Sequence, residues 1–185
     1  RPVPEGDGFE IEAHTVPFVG YKENDRHDPK NPYAATKSAA EQLVVAYANT
    51  YRLPCIITRQ MNIFGERQHP EKFMPICMNR ALYGGDIFIH STPDKTQAGM
   101  RHYIHARNVA DAHLFILNKI EEDEIEIDTQ NVESFHVVGE EEVDNLKLAR
   151  LINEYTGIIG DELDIVAEGV TNFEMVDFHS SRPGH

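Results

Sequence analysis

The run NPYAATKSAAEQLVVAYANTYRLPCIIT, residues 31–58, decides how this chain is read. Asn31-Pro32 opens a helix. From Tyr33 to about Tyr51, Ala39, Ala40, Leu43, Val44, Tyr47 and Tyr51 recur at helical spacing and predict an amphipathic helix. Leu53-Pro54 ends it, because proline cannot continue a helix and restricts the residue before it. Cys55-Ile56-Ile57-Thr58 is a short apolar, β-branched run, the pattern of a buried strand. Helix, tight turn and apolar strand make half of a βαβ rhythm, which favours a parallel sheet.

On the N-terminal side, Arg1 to Asn31 is rich in Pro, Gly and charge, has no sustained period and reads as a long loop. On the other side the pattern is mixed. Phe73 to Tyr83 predicts a helix stopped by Gly84-Gly85, Ile87 to His90 a strand, and Tyr103-Ile104-His105 a short extended piece. Asn108 is a credible N-cap for a helix through Val109, Ala112, Leu114, Phe115 and Leu117. Ser134 to Val138 predicts another strand. Asp144 or Asn145 caps a helix from Leu146 to Thr156 that Gly157 closes, and Leu163 to Val166 reads as a last strand.

At 185 residues the chain can bury one real core. Its formal net charge of −14 argues against a broad grip on a nucleic acid polymer, which needs clustered Lys and Arg. Much of the acidity is local, in Glu121-Glu122-Asp123-Glu124 and Glu140-Glu141-Glu142, runs that read as solvated faces. An anionic small ligand would need the few basic residues gathered in one pocket. No apolar run is long enough to span a bilayer. Cys55 and Cys77 suggest neither a disulfide framework nor a zinc site, so a reduced, cytoplasmic setting is expected. Nor do the histidines make a metal case: His102 and His105 are three apart and, on an extended segment, point to opposite faces.

The sharpest chemical feature is Tyr33-Ala34-Ala35-Thr36-Lys37. Positions four apart lie one turn above each other on a helix, so a phenol and an ammonium can face one site together. A free tyrosine, with a pKa of about 10, is a poor base at neutral pH, and a neighbouring cation favours its ionised form. Such a pair can remove a proton from a sugar hydroxyl. Ala34 and Ala35 leave room for a flat ligand to approach.

Asn31 to Leu43 resembles the active-site helix of the extended short-chain dehydrogenase/reductase family, the NAD-dependent epimerases and dehydratases of nucleotide sugars. The resemblance implies that Tyr33 is the catalytic base and that Lys37 holds the nicotinamide ribose of NAD. Asn62-Ile-Phe-Gly65 and Pro70-Glu-Lys-Phe-Met-Pro75 are similar to the stretch of dTDP-glucose 4,6-dehydratases that meets the sugar nucleotide, with Asn62 and Lys72 at the matching positions. An amide can bond sugar or phosphate oxygens, and a lysine supplies a point charge for phosphate. Arg101-His-Tyr-Ile-His-Ala-Arg-Asn108 resembles the family's Arg-Asp-aromatic segment, which implies a diphosphate contact for Arg101. The sequence departs from the pattern at His102 and Asn108, where aspartate is usual. Asn145 stands where the family places an asparagine near the nucleotide. Ser181-Arg182-Pro-Gly-His185 looks like the family's late Arg-Pro-Gly-His segment, which implies diphosphate contacts for Arg182 and His185.

The fold implied is α/β: the C-terminal portion of a Rossmann-type parallel sheet plus a smaller mixed α/β substrate-binding region. Residues 1–60 would form a partial NAD-binding region carrying the Tyr-x-x-x-Lys helix, and residues 61–185 mainly a nucleotide-sugar-binding region. No Gly-rich dinucleotide loop lies between a strand and a helix, and the family's Thr-Asp-Glu segment is absent. The expectation is therefore a fragment, inactive alone, of a 4,6-dehydratase. The implied reaction oxidises sugar C4 with NAD while Tyr33 takes the hydroxyl proton. Water is then eliminated across C5 and C6 by an aspartate and a glutamate outside these residues, and C6 is reduced. A nucleotide-sugar 4-epimerase or decarboxylase shares Tyr33, Lys37 and the fold. A non-catalytic nucleotide-sugar-binding remnant is the reading from another class. The family also implies a two-fold homodimer, with an apolar contact expected near Val44 and Ala48.

Overall fold

The computed structural model describes residues 20–163 and 165–177. Helix α1 spans Pro32–Tyr51. The Asn31 side chain accepts from the Ala34 N–H at 2.8 Å, and Pro32 occupies the first turn, where its missing N–H costs nothing. Arg52, in the left-handed region at φ 55°, ends the helix just before Leu53-Pro54. Strand β1, Ile56–Gln60, follows. The expected strand is there, shifted by one residue and half-buried along its length.

The remaining elements run in chain order. They are β2 (Ile63–Phe64), α2 (Phe73–Tyr83), β3 (Asp86–Ser91), β4 (Met100–His102), β5 (Ile104–His105), α3 (Ala106–Glu121), β6 (Glu133–Val137), β7 (Glu142–Asp144), α4 (Asn145–Glu162) and β8 (Asn172–Asp177). Among the described residues, β1 pairs parallel with β6, β2 with β5, and β3 with β8, while β4 and β7 pair antiparallel. In the first of these pairs Ile56 lies opposite Glu133 and Gln60 opposite Val137. Parallel partners need a long crossover, and here it carries all the intervening elements. The fold is α/β with parallel strand pairs, as the helix–turn–strand run requires.

The tightest packing lies in the second half of the chain. Cys77 and Ala81 of α2, Ile87 and Ile89 of β3, and Ala149 of α4 are essentially closed to solvent. Phe73, Leu146, Ile152, Phe173 and Met175 pack around this core. Strand β3 alternates: Ile87, Ile89 and Ser91 point in, and Asp86 and Phe88 point out. Burial pushes the Cys77 thiol up to about 12, so it stays protonated and inert.

Several local expectations are overturned, each for a physical reason. The apolar stripe of α1 does not face the interior. Leu43 is 60% exposed and Tyr47 55% exposed, while the packed side is Ala34, Ser38, Glu41, Val45 and the fully closed Ala48. Ala48 is closed off within the chain, while its neighbour Val44 is 39% exposed. Helix α3 starts at Ala106 rather than after Asn108, because the His105 Nδ1 accepts from the Arg107 N–H at 3.1 Å and caps it earlier. For α4 the cap is Asp144, whose carboxylate accepts from the Lys147 N–H at 2.8 Å; Asn145 is already helical. Gly157 does not close that helix, which continues to Glu162. Of the strand expected from Leu163 to Val166, the described residues Leu163, Ile165 and Val166 are not in a strand. The N–H groups of Leu163 and Ile165 donate back to Gly160 O, wrapping the chain around the helix end and leaving Val166 88% exposed. Among the described residues the last strand is β8.

Candidate active site around Tyr33 and Lys37

Tyr33 and Lys37 sit one turn apart at the start of α1, and both line a hollow of about 450 Å³. Tyr33 is 73% exposed, so its hydroxyl is open to a ligand. Lys37 is also exposed and makes no ion pair among the described residues. The opposite wall comes from the irregular segment before the helix, including Tyr21, Lys22 and Arg26. A larger hollow of about 540 Å³ lies along α2, between Gly65, Pro70 and Tyr83. Neither Tyr33 nor Lys37 reaches it, so the chemistry places the candidate site at the smaller one.

Below the pair lies a polar network that the sequence reading missed. Glu41, one further turn along α1, accepts from Arg59 of β1 at Nε (2.9 Å) and Nη2 (2.8 Å), both side chains being about a quarter exposed. The guanidinium hydrogen bonds hold the Glu41 carboxyl below the usual carboxylate range against the opposing effect of burial. Arg59 also donates to Glu23 O at 3.1 Å and to Ser134 Oγ at 3.3 Å, tying β1 to the preceding segment and to β6. The signal was available: Tyr33, Lys37 and Glu41 recur every four residues on one helix face.

The other site candidates fall into a second group. Asn62 takes the left-handed conformation at φ 40°, which asparagine tolerates, and its Nδ2 donates to His102 O at 3.0 Å. Its amide therefore ties the start of β2 to the end of β4. Lys72 is exposed at the N-terminal boundary of α2 and caps nothing with its side chain. Arg101 donates to Met100 O at 2.6 Å and lines a third hollow with His90, Gly99 and Glu142. His102 does not orient it; the His102 ring bonds Gly139 O at 3.0 Å instead. Gly139 is needed there, since a Cβ would stand 2.1 Å from Tyr103 O. Asn145 accepts from the Tyr103 hydroxyl at 2.9 Å, and burial raises that phenol above its ordinary pKa. Asn62, Arg101 and Asn145 are thus linked through residues 102 and 103, whereas Lys72, at the start of α2, makes no hydrogen bond to them among the described residues. Arg182 and His185 lie outside the described residues. No group of three or more His, Cys, Asp or Glu among the described residues could hold a metal, and no helix among them is long and apolar enough to cross a membrane.

Residues 11–154 match the model of the NAD dependent epimerase/dehydratase family, and the chain belongs to that family. A trifunctional UDP-glucose 4,6-dehydratase/UDP-4-keto-6-deoxy-D-glucose 3,5-epimerase/UDP-4-keto-L-rhamnose-reductase of Arabidopsis thaliana is 40% identical over 101 residues, covering 55% of this chain and 15% of that one. The dTDP-glucose 4,6-dehydratase of Neisseria gonorrhoeae is 29% identical over 168 residues, covering 89% of this chain and 43% of that one. Among solved structures, a dTDP-glucose 4,6-dehydratase of Streptomyces venezuelae with NAD bound is 26% identical with a TM-score of 0.59, over 89% of this chain and 44% of that one. A UDP-glucuronic acid 4-epimerase of Bacillus cereus, 19% identical with a TM-score of 0.65 over 86% of this chain and 45% of that one, shares the fold. The chain spans less than half the length of these relatives.

Proposed function

We propose that this chain carries the proton-transfer helix and much of the sugar-nucleotide site of an NAD-dependent nucleotide-sugar 4,6-dehydratase. One observation carries the reading: the Tyr33 hydroxyl and the Lys37 ammonium, which makes no ion pair among the described residues, line one open hollow, one helical turn apart. The residues present fit the nicotinamide end of NAD. Lys37 offers three donors to ribose hydroxyls, and Ala34 leaves the helix surface low enough for a flat ring. Bound NAD would supply the oxidising power at the sugar carbon. Tyr33 takes the proton from the sugar 4-hydroxyl as C4 is oxidised and, because the product keeps its 4-keto group, passes it on to solvent rather than back to the sugar oxygen. Asn62, Lys72, Arg101 and Asn145, with Arg182 and His185, are assigned to the sugar nucleotide, the cations meeting the diphosphate. Dehydratases among the relatives matched support dehydration over 4-epimerisation.

Turnover needs a phosphate-cradling turn at a strand-to-helix junction, which residues 1–185 do not include. Joined to a dinucleotide-binding segment with an acid–base pair, the chain is expected to convert dTDP-glucose or UDP-glucose to a 4-keto product. Alone it should yield none. A 4-epimer as the sole product, or 4-keto sugar from the isolated chain, would overturn the assignment.

The same reading places the enzyme in the cytoplasm as a homodimer. Leu43, Val44, Tyr47 and Tyr51 leave an exposed apolar strip on α1, and Leu114, Phe115 and Leu117 another on α3. Such strips mark interaction surfaces. The assembled enzyme should sediment as a dimer, and Leu43→Glu with Tyr47→Glu should return it to monomer; a wild-type monomer at micromolar concentration would remove the proposal.

A further inference from the structure

We propose that His27 is a positioning residue that pins residues 20–30 to α1 and so fixes one wall of the Tyr33–Lys37 hollow. Its effect on turnover rests on the function proposed above, but the pin itself depends only on contacts within this chain.

The hollow has two walls of different character. Tyr33 and Lys37 stand on a regular helix, whereas Tyr21, Lys22, Asp25 and Arg26 stand on a segment with a single turn around Glu23–Asp25. That turn is closed locally by Asp25 N to Lys22 O (3.0 Å) and Lys22 N to Asp25 Oδ2 (2.8 Å). Neither bond sets the distance from segment to helix. His27 spans that gap. Its Nδ1 lies 2.7 Å from Ser38 Oγ, beside Lys37, and its Nε2 lies 3.3 Å from Glu41 Oε2 and 3.4 Å from Arg59 Nη2. Ser38, Glu41 and His27 are all partly withdrawn from solvent. Glu23 gives the segment a second hold, accepting from Arg59 at its carbonyl and from the His136 N–H at its carboxylate (3.1 Å).

The pin survives either tautomer. With the proton on Nε2 the ring donates to Glu41 and accepts from the Ser38 hydroxyl. With it on Nδ1 the ring donates to Ser38 and accepts from Arg59. A doubly protonated ring donates to both Ser38 and Glu41. A serine hydroxyl on one side and a carboxylate–guanidinium pair on the other can answer each state. The arrangement therefore acts as a structural clasp for the wall, independent of a particular protonation.

Trypsin reads the clasp directly, because Lys22 and Arg26 lie in the clasped segment and loops that detach are the sites of nicking. On the 185-residue chain, His27→Ala is expected to speed cleavage after Arg26 about tenfold, the effect of losing a hydrogen bond to a partly buried group. Ser38→Ala should do the same, and the double variant should be no faster than either single one. His27→Asn, which returns an amide to the place of Nδ1, should restore slow cleavage. In the assembled enzyme His27→Ala should lower kcat about tenfold with unchanged nucleotide-sugar affinity and an unfolding temperature lower by only a few degrees. Wild-type cleavage in His27→Ala would overturn the inference. So would equal acceleration after Arg150 in α4, which reports general loosening. An assembled wild-type enzyme without turnover, together with the expected cleavage pattern, would remove the proposed function and leave the clasp supported.

Discussion

Phenylalanine in place of Tyr33 is expected to lower turnover about a thousandfold in the assembled enzyme. A positioned general base contributes roughly 10²- to 10⁴-fold, and Tyr33 is the phenol that stands one helical turn from Lys37 in the hollow. The substitution removes one oxygen and keeps the ring. Tyr33 is 73% exposed and buries almost nothing in the fold, so the unfolding temperature should not move. Nucleotide-sugar affinity should change less than threefold, because the groups assigned to the nucleotide lie elsewhere in the chain. Steady-state kinetics with a separate measurement of binding gives the answer. Full activity in Tyr33→Phe would remove the proton-transfer role altogether. A parallel loss of affinity and turnover would make Tyr33 a binding residue only.

The second large effect concerns stability. Ile89→Ala should destabilise the protein by about 3 kcal/mol, within the range for truncating a buried isoleucine and leaving a cavity. Ile89 is fully closed to solvent in β3, pairs with Met175 of β8, and shares its core with Ile87, Cys77 and Ala149. For a chain of this size that corresponds to a fall of about 10 °C in unfolding temperature. Its neighbour Phe88 is larger but points outward and is 59% exposed. Phe88→Ala should therefore cost less than about 1 kcal/mol, in line with surface substitutions. Calorimetry on both variants tests the alternation of β3. Equal losses at the two positions would mean that the strand is not facing as described.

The strand at Ile87 to His90 was legible but its facing was not, since Phe88 is as apolar as the isoleucines beside it; the period of α1 was legible from Tyr33 to Tyr51. The boundaries set by proline and by paired glycine were legible too: α1 stops at Leu53-Pro54 and α2 stops at Gly84-Gly85. The missed elements fall into two kinds. Strand β8, Asn172–Asp177, is six residues long and was missed although Phe173 and Met175 alternate with polar neighbours, whereas the other misses are short. Strands β2, β4 and β7 are two or three residues long, and each exists only because a distant partner lies beside it. A run that short has no period to detect. Leu163 to Val166 erred the other way, since an apolar run looks like a strand even when its backbone bonds turn back onto a helix end.

By itself the sequence determined that a tyrosine and a lysine share a helix face, because four residues make about one turn whatever surrounds them. It also determined that a strand follows this helix, because a proline turn leaves the apolar run after it nowhere to continue as helix, and favoured a parallel one, which β1 and β6 form. Which face of the helix is buried was decided only by tertiary structure. Periodicity marks Leu43, Val44, Tyr47 and Tyr51 as a stripe but says nothing of what meets it. The chain instead packs the side bearing Ala34, Ser38, Glu41, Val45 and Ala48. Burying Glu41 is tolerable because Arg59 is brought from β1 to pair with it, and that pairing spans 18 residues of sequence. The same folding brings His27 onto Ser38 and Glu41, giving the Tyr33–Lys37 pair a second wall. Spacing along the chain fixes what one element can present; contacts between elements fix what it faces.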